Sequence, residues 1–310
     1  METKEFYSSG KLMISGEYLV IKGAVALAVP LKVGQKLAVT ERRHSSSVLE
    51  WRAWFNEKLV FETTIEYPRF AIQYTNNPVM SERLVKVLLA ARTMNSAFLA
   101  GNRKLEVESH ADFDMEWGLG SSSSLVSNIA WWAEVDPFAL NRSVFNGSGY
   151  DIACARSDGP ILYSIRNEKP AFTEVNFNPA FASQLYFVYL GSKQDTRQSL
   201  KINGSRLNEV SEQEVNVISE ISQRLLKARN LSEFEVYILN HEKIIGDTIG
   251  MMPVKYRMFP DFGGEIKSLG AWGGDFILAS WQGSREDLEG YFSRHGCRLI
   301  FAFNELVKNT

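Results

Sequence analysis

Met115-Glu-Trp-Gly-Leu-Gly-Ser-Ser-Ser-Ser-Leu125 follows a strand-like run, Leu105 to Ser109, and precedes a helix-like one. Gly118 and Gly120 allow a tight turn and a close backbone approach to an anion. The serines suit the first turn of a helix whose unpaired N–H groups face that anion. The helix dipole adds about half a positive charge at the same place. The stretch reads as a phosphate cradle built from Gly118, Leu119, Gly120, Ser121, Ser122 and Ser123, with the Ser122 hydroxyl a candidate Mg2+ ligand beside the phosphates. Taken alone, a flexible loop capping an ordinary helix is the other reading.

Upstream of the cradle the chain reads as sheet-rich. Leu12 to Ser15, Val25 to Ala28, Gln35 to Glu41, Val48 to Phe55 and Leu59 to Thr64 have strand character, and Glu41-Arg-Arg-His44 beside Ser45 to Ser47 reads as a solvated hairpin end. Met80, Leu84, Val87, Leu88 and Ala91 recur at helical spacing and form one apolar stripe. Downstream, Ser123 to about Glu134 reads as a helix, Asp136 as the start of a short one, and Ile161 to Ile165 and Phe172 to Phe177 as strands. The pattern breaks around Asn178 to Ala182, which places a domain boundary there: residues 1–182 and 183–310. The second part opens with a strand over Gln184 to Leu190. A helix follows Ser211, which forms a capping-box pair with Glu214, and another spans Glu233 to Ile245, where His241 shares the inward face. Phe276 to Ser280 and Arg298 to Phe303 read as strands, so this part suits a small α+β sandwich.

Composition excludes several classes. The 310 residues carry a formal net charge of −2, which argues against nucleic acid as a partner. The two cysteines, Cys154 and Cys297, form no disulfide framework and no zinc spacing. No apolar run reaches membrane-spanning length and the N-terminus lacks a signal pattern, so the expected compartment is the cytoplasm.

Three further stretches join the cradle in a fixed order: Ser8-Ser-Gly-Lys-Leu-Met-Ile-Ser-Gly-Glu-Tyr18 before it, then Gly147-Ser-Gly-Tyr-Asp-Ile-Ala-Cys-Ala155 and Ser268-Leu-Gly-Ala-Trp-Gly-Gly-Asp-Phe-Ile277 after it. Together the four resemble the ordered motifs of the GHMP kinases, from about residue 6 to about residue 280. The resemblance implies an α+β, two-domain fold, with a sheet-rich N-terminal domain carrying helices and a ferredoxin-like C-terminal α/β sandwich. It implies ATP and Mg2+ as cofactors, a small-molecule acceptor, and a monomer or homodimer. Lys11 matches the lysine placed near the transferring phosphoryl group, and Asp151 the aspartate that serves as catalytic base in many of these enzymes. A lysine near that carboxylate would favour its ionised form. Gly273 and Gly274 belong to a second glycine turn that approaches the nucleotide. Glu17 and Tyr18 stand at an acceptor-contacting position, where Tyr18 either hydrogen-bonds substrate or anchors the strand. Lys193, Thr196 and Arg197 lie on a polar turn suited to an anionic acceptor, or are ordinary solvated loop residues.

Details depart from the pattern. Trp272 stands where relatives place a small residue, so either the loop stands off or the indole packs outward. Only 28 residues separate Ser122 from Asp151, fewer than in typical mevalonate kinases. The family's Mg2+-binding glutamate has no counterpart, since Leu140 and Asn141 stand there. Magnesium is then left to Ser122, phosphates and water, or to a carboxylate such as Glu134. The motifs are closest to mevalonate and phosphomevalonate kinases. Homoserine or sugar kinases, a related decarboxylase and a catalytically silent sensor remain the other readings.

Overall fold

The computed structural model of the chain describes residues 2–145, 147–191, 204–270, 272 and 274–309. Lys193, Thr196, Arg197 and Gly273 lie outside the described residues. Two compact units are present, and neither is one continuous stretch of chain. The first comprises Met1–Gly10, Val33–Met115 and Gly120–Arg156. The second comprises Lys11–Lys32, Glu116–Leu119 and Ser157–Thr310.

In the first unit the sheet order is β5 (Ala71–Thr75), β4 (Lys58–Glu66), β3 (Val48–Phe55), β6 (Arg103–Ala111) and the latter part of β2 (Ala26–Arg43); β1 (Glu2–Ser15) also pairs with β2. β3 and β6 run parallel, with Val48 opposite Lys104 and Phe55 opposite Ala111. The hairpin expected at Glu41 to His44 is therefore absent. β6 lies between β2 and β3, and the intervening residues form a solvated connection between strands that are not neighbours. Along β3, Leu49, Trp51 and Ala53 are buried while Glu50 and Arg52 face away, the period of two that covers one face of a sheet. That face packs against α1 (Pro78–Met94), α2 (Ser121–Trp132), α3 (Pro137–Val144) and α4 (Tyr150–Arg156), sharing one core that includes Trp51, Leu88, Val126, Ile129, Leu140 and Ile152. α1 begins where Asn77 accepts a hydrogen bond from the Met80 N–H and Pro78 supplies a residue that needs no donor. Asp136 caps α3 in the same way, through Phe138 and Ala139.

In the second unit the start of β2 pairs with β7 (Ile161–Arg166), which pairs with β8 (Lys169–Glu174). A separate antiparallel sheet has the order β10 (Ile266–Ser268), β11 (Phe276–Ser280), β9 (Leu185–Tyr189) and β12 (Ile300–Ala302). Around it are α5 (Gly204–Asn208), α6 (Glu212–Lys227), α7 (Leu231–Ile249), α8 (Val254–Met258), α9 (Arg285–Arg294) and α10 (Phe303–Leu306). Tyr186, Val188, Ile277 and Ala279 pack with Phe259, Phe262, Leu288 and Phe292 on one side. On the other, Phe187 stacks on Phe303, which meets Phe177 edge-on, and Phe177 and Phe181 contact Phe234 of α7. Both faces of β9 are thereby covered, as a sandwich requires. The Ser211 and Glu214 capping box opens α6 as expected. α7 is longer than its apolar stripe, because Asn230 caps its start and Gly250, in the left-handed region, ends it. The α+β class expected from the sequence is the class observed. Among the described residues no helix is long and apolar enough to cross a membrane.

Candidate active site

α2 begins without a side-chain cap. Its N-cap is Gly120 with φ 100°, a conformation that favours glycine. The N–H groups of the first turn have no partner within the helix. The serine run divides by depth. Ser122 is exposed and Ser121 half-buried, whereas Ser123 and Ser124 turn their hydroxyls back onto the Gly120 carbonyl at 2.9 and 3.0 Å. Ser123 can thus serve an anion through its backbone, while Ser122 presents a hydroxyl.

Lys11 and the glycine turn are joined in the second unit. The Lys11 amide donates to the Leu119 carbonyl at 2.8 Å, and its Nζ donates to the Gly118 carbonyl at 2.9 Å. Leu119 is fully buried and pins the turn. Gly118 has φ 71°, and a Cβ on it would stand 2.4 Å from Oδ2 of Asp275. Asp275 is itself buried, with φ 52°. In the sequence this residue stood only inside the third motif, just before the Phe276 strand, yet its carboxylate lies on the Gly118 turn. Gly274 beside it is buried.

Glu17 and Tyr18 are interior. The Tyr18 hydroxyl accepts a hydrogen bond from the Trp272 backbone N–H at 3.2 Å, so it ties the first motif to the third. Of the two arrangements expected for Trp272, outward packing is not what occurs. The indole is 2 % exposed, lies against Gly246 of α7, and has its ring centre 5.9 Å from Lys267 Nζ. Glu17 accepts from Lys267 Nζ at 2.8 Å, and Glu242 lies 3.2 Å from the same nitrogen. Lys267 also donates to the Ser268 carbonyl, and the Ser268 hydroxyl donates to Glu242 at 2.6 Å. Burial pushes the Glu242 carboxyl up to about 7 and raises that of Glu17, with Lys267 opposing both shifts. Burial, then the Lys267 charge, holds His241 well below its ordinary value. The imidazole is neutral for a second reason. Its Nε2 accepts from the Gly16 N–H at 2.9 Å, which places the proton on Nδ1. Its 3.3 Å approach to Glu17 is therefore a contact and not an ion pair. His241 is an interior residue, as its helical face implied. The importance of Lys267, Glu242 and Asp275 was missed, and only the proximity of Lys267 and Asp275 to the third motif could have signalled it.

Asp151 occupies the first turn of α4, half-buried, at a helix end where the dipole favours a carboxylate. Glu134 cannot serve a metal at Ser122. It lies beyond the far end of the twelve-residue α2, about 18 Å along the helix. Leu140 and Asn141 are buried in α3. Among the described residues there is no cluster of three or more His, Cys, Asp or Glu side chains that could hold a metal.

No family model and no curated protein matches the sequence. Solved structures do match it. Mevalonate kinase of L. major in complex with R-mevalonate is 15% identical, with a TM-score of 0.71 over 100% of this chain and 97% of that one. Phosphomevalonate kinase of Streptococcus pneumoniae in complex with phosphomevalonate and AMPPNP is 15% identical, with a TM-score of 0.69 over 96% and 98%. Galactokinase of Lactococcus lactis complexed with galactose is 13% identical, with a TM-score of 0.60 over 95% and 89%. The chain has the fold of the GHMP kinases.

Proposed function

We propose that the protein is an ATP-dependent small-molecule kinase that transfers the γ-phosphoryl group to mevalonate or phosphomevalonate. The observation that carries this reading is the Lys11 ammonium fixed on the Gly118 carbonyl, in a glycine turn that runs directly into the uncapped start of α2. Phosphoryl transfer asks a protein mainly for positioning and charge neutralisation. The Gly118 to Ser123 backbone would hold the phosphates through N–H groups and the helix dipole. Lys11 would offset charge on the transferring group, and Asp151 would orient the acceptor hydroxyl or take its proton. Glu17 and Tyr18 would act on the acceptor through the interior they organise. Lys193, Thr196 and Arg197 would meet its anionic group, and Gly273 and Gly274 would complete the nucleotide side.

Magnesium fits this donor set as a companion of ATP. The chain offers a hard oxygen, the exposed Ser122 hydroxyl, and no dedicated cage among the described residues, in keeping with an ion held largely by phosphates and water. When bound it would neutralise phosphate oxygens. The acceptor choice draws support from the R-mevalonate and phosphomevalonate in the two structures named above, and the nucleotide from the AMPPNP in one of them. A cytoplasmic monomer or homodimer accompanies this reading.

The test is Mg-ATP-dependent ADP release with mevalonate, phosphomevalonate, homoserine, galactose and no acceptor, run beside Asp151→Asn. Turnover with one of the first two, lost by orders of magnitude in the variant while ATP affinity holds, is the expected result. Turnover only with homoserine or galactose would reassign the acceptor. ATP binding without turnover on any acceptor would favour a silent sensor.

A further inference from the structure

Within the first unit a buried polar seam runs the length of α2. At its start, the Ser124 hydroxyl donates to Gln35 Oε1 at 2.8 Å, and Gln35 Nε2 donates to Ser109 at 2.7 Å. One turn on, Asn128 Nδ2 donates to the Gln35 carbonyl at 2.8 Å, and its Oδ1 accepts from Ser8 at 2.8 Å. Ser8 also meets the Ser127 hydroxyl at 2.9 Å. The seam ends at Arg156, the last residue of α4. Its Nε donates to Ser127 Oγ at 2.9 Å and its Nη2 to the Ser127 carbonyl at 3.0 Å, while the guanidinium lies 4.8 Å above the exposed ring of Trp131.

We propose that Arg156, acting through Ser127, is the positioning residue that fixes α4 on α2 and thereby sets the placement of Asp151. α4 is short, seven residues, and the side chains it buries are Ile152, Ala153, Cys154 and Ala155. Three of these four are small, so apolar contact alone defines the helix register weakly. Directional hydrogen bonds from a planar donor define it sharply. Arg156 is exposed, yet its guanidinium is held on two neutral Ser127 oxygens and the Trp131 ring, with no carboxylate partner among the described residues. Hydrogen bonds from an exposed cation to neutral oxygens add little stability, and here they contribute alignment. Asp151 lies five residues upstream on the same helix, so a tilt at Arg156 is carried to the carboxylate.

This inference rests on the kinase reading for its effect on turnover and is independent of it for its effect on α4. The variants are Arg156→Met and Arg156→Lys in the full chain. Hydrogen exchange over residues 150–156 should accelerate in Arg156→Met, with Arg156→Lys intermediate. With the acceptor identified, kcat should fall by about 10²-fold in Arg156→Met, the scale of an ångström-sized misplacement, while KM for ATP stays within about twofold. Added methylguanidinium should restore part of kcat. Unchanged exchange over α4 overturns the proposal whatever the activity. So does a loss of kcat that is matched by loss of ATP affinity and global stability and that methylguanidinium does not relieve. If wild type turns over no acceptor, the kinase reading fails while the exchange experiment still decides the seam.

Discussion

Glu242→Gln isolates the electrostatics of the buried cluster beside the third motif. Lys267 from β10, Glu17 after β1, and Glu242 and His241 from α7 converge there, each 3 % exposed or less. One ammonium faces two carboxylates, so ionising both leaves a net negative charge in the interior, while protonating one leaves none. The Glu242 carboxyl is pushed up by burial from an ordinary 4.5 to about 7, with Glu17 adding repulsion and Lys267 opposing. The folded protein therefore holds a proton that the unfolded chain has released between pH 4.5 and 7. In that window stability must fall as pH rises, and it levels off above. The shift of some 2.5 units, at 1.36 kcal/mol each, gives about 3 kcal/mol. Glutamine keeps the shape and cannot ionise. The variant should match wild type near pH 5, retain its stability through pH 8, and exceed wild type there by up to about 3 kcal/mol. Denaturant unfolding at fixed ionic strength, compared between the two proteins from pH 5 to 8, reads the difference directly, since titrations elsewhere cancel. Parallel stability curves would refute the buried-charge account.

Two further outcomes concern the turns. Gly118→Ala combines a left-handed backbone penalty of about 1–2 kcal/mol with collision against Asp275, so ATP affinity measured by calorimetry should drop about tenfold or more. The double variant with Asp275→Gly should recover part of it, and no recovery would mean that the carboxylate is not what fills the space. Tyr18→Phe leaves the buried Trp272 N–H without its acceptor and should cost about 1–3 kcal/mol in denaturant unfolding. A cost near zero would remove the Tyr18 hydroxyl as the tie between the motifs.

The fold was legible where conformation dictates residue type over a short span. Gly118 and Gly120 both take positive φ, and the caps Asn77, Asp136 and Ser211 each act within three residues of themselves. Interactions of that range are written in neighbouring letters. The parallel pairing of β3 with β6 was not, because α1 and β4 and β5 intervene and nothing local reports that β6 will displace β2 as the neighbour of β3. The ion cluster was equally hidden. Lys267 meets Glu17 across 250 residues, and each reads in isolation as an ordinary strand or turn residue. α9 was missed because its exposed, highly charged sequence buries only Leu288 and Phe292, too thin a stripe to stand out.

Trp272 shows how a departure from a motif becomes intelligible only with its compensation. A large side chain in a glycine turn suggested displacement of the loop, because the sequence offers no sign of a cavity to receive it. The indole lies beside a helix glycine. Gly246 lies inside α7, where a glycine costs about 1 kcal/mol relative to alanine. Its missing Cβ would stand 2.8 Å from the Met251 carbonyl and 3.5 Å from the Trp272 ring. The helix gives up propensity so that the chain beyond Gly250 can fold back; the indole packs in ordinary contact beside it, while the Tyr18 hydroxyl holds the Trp272 backbone from the first motif. Trp272 is thus held through its backbone by Tyr18 and through its ring beside α7, next to the buried charges whose protonation the Glu242→Gln experiment measures.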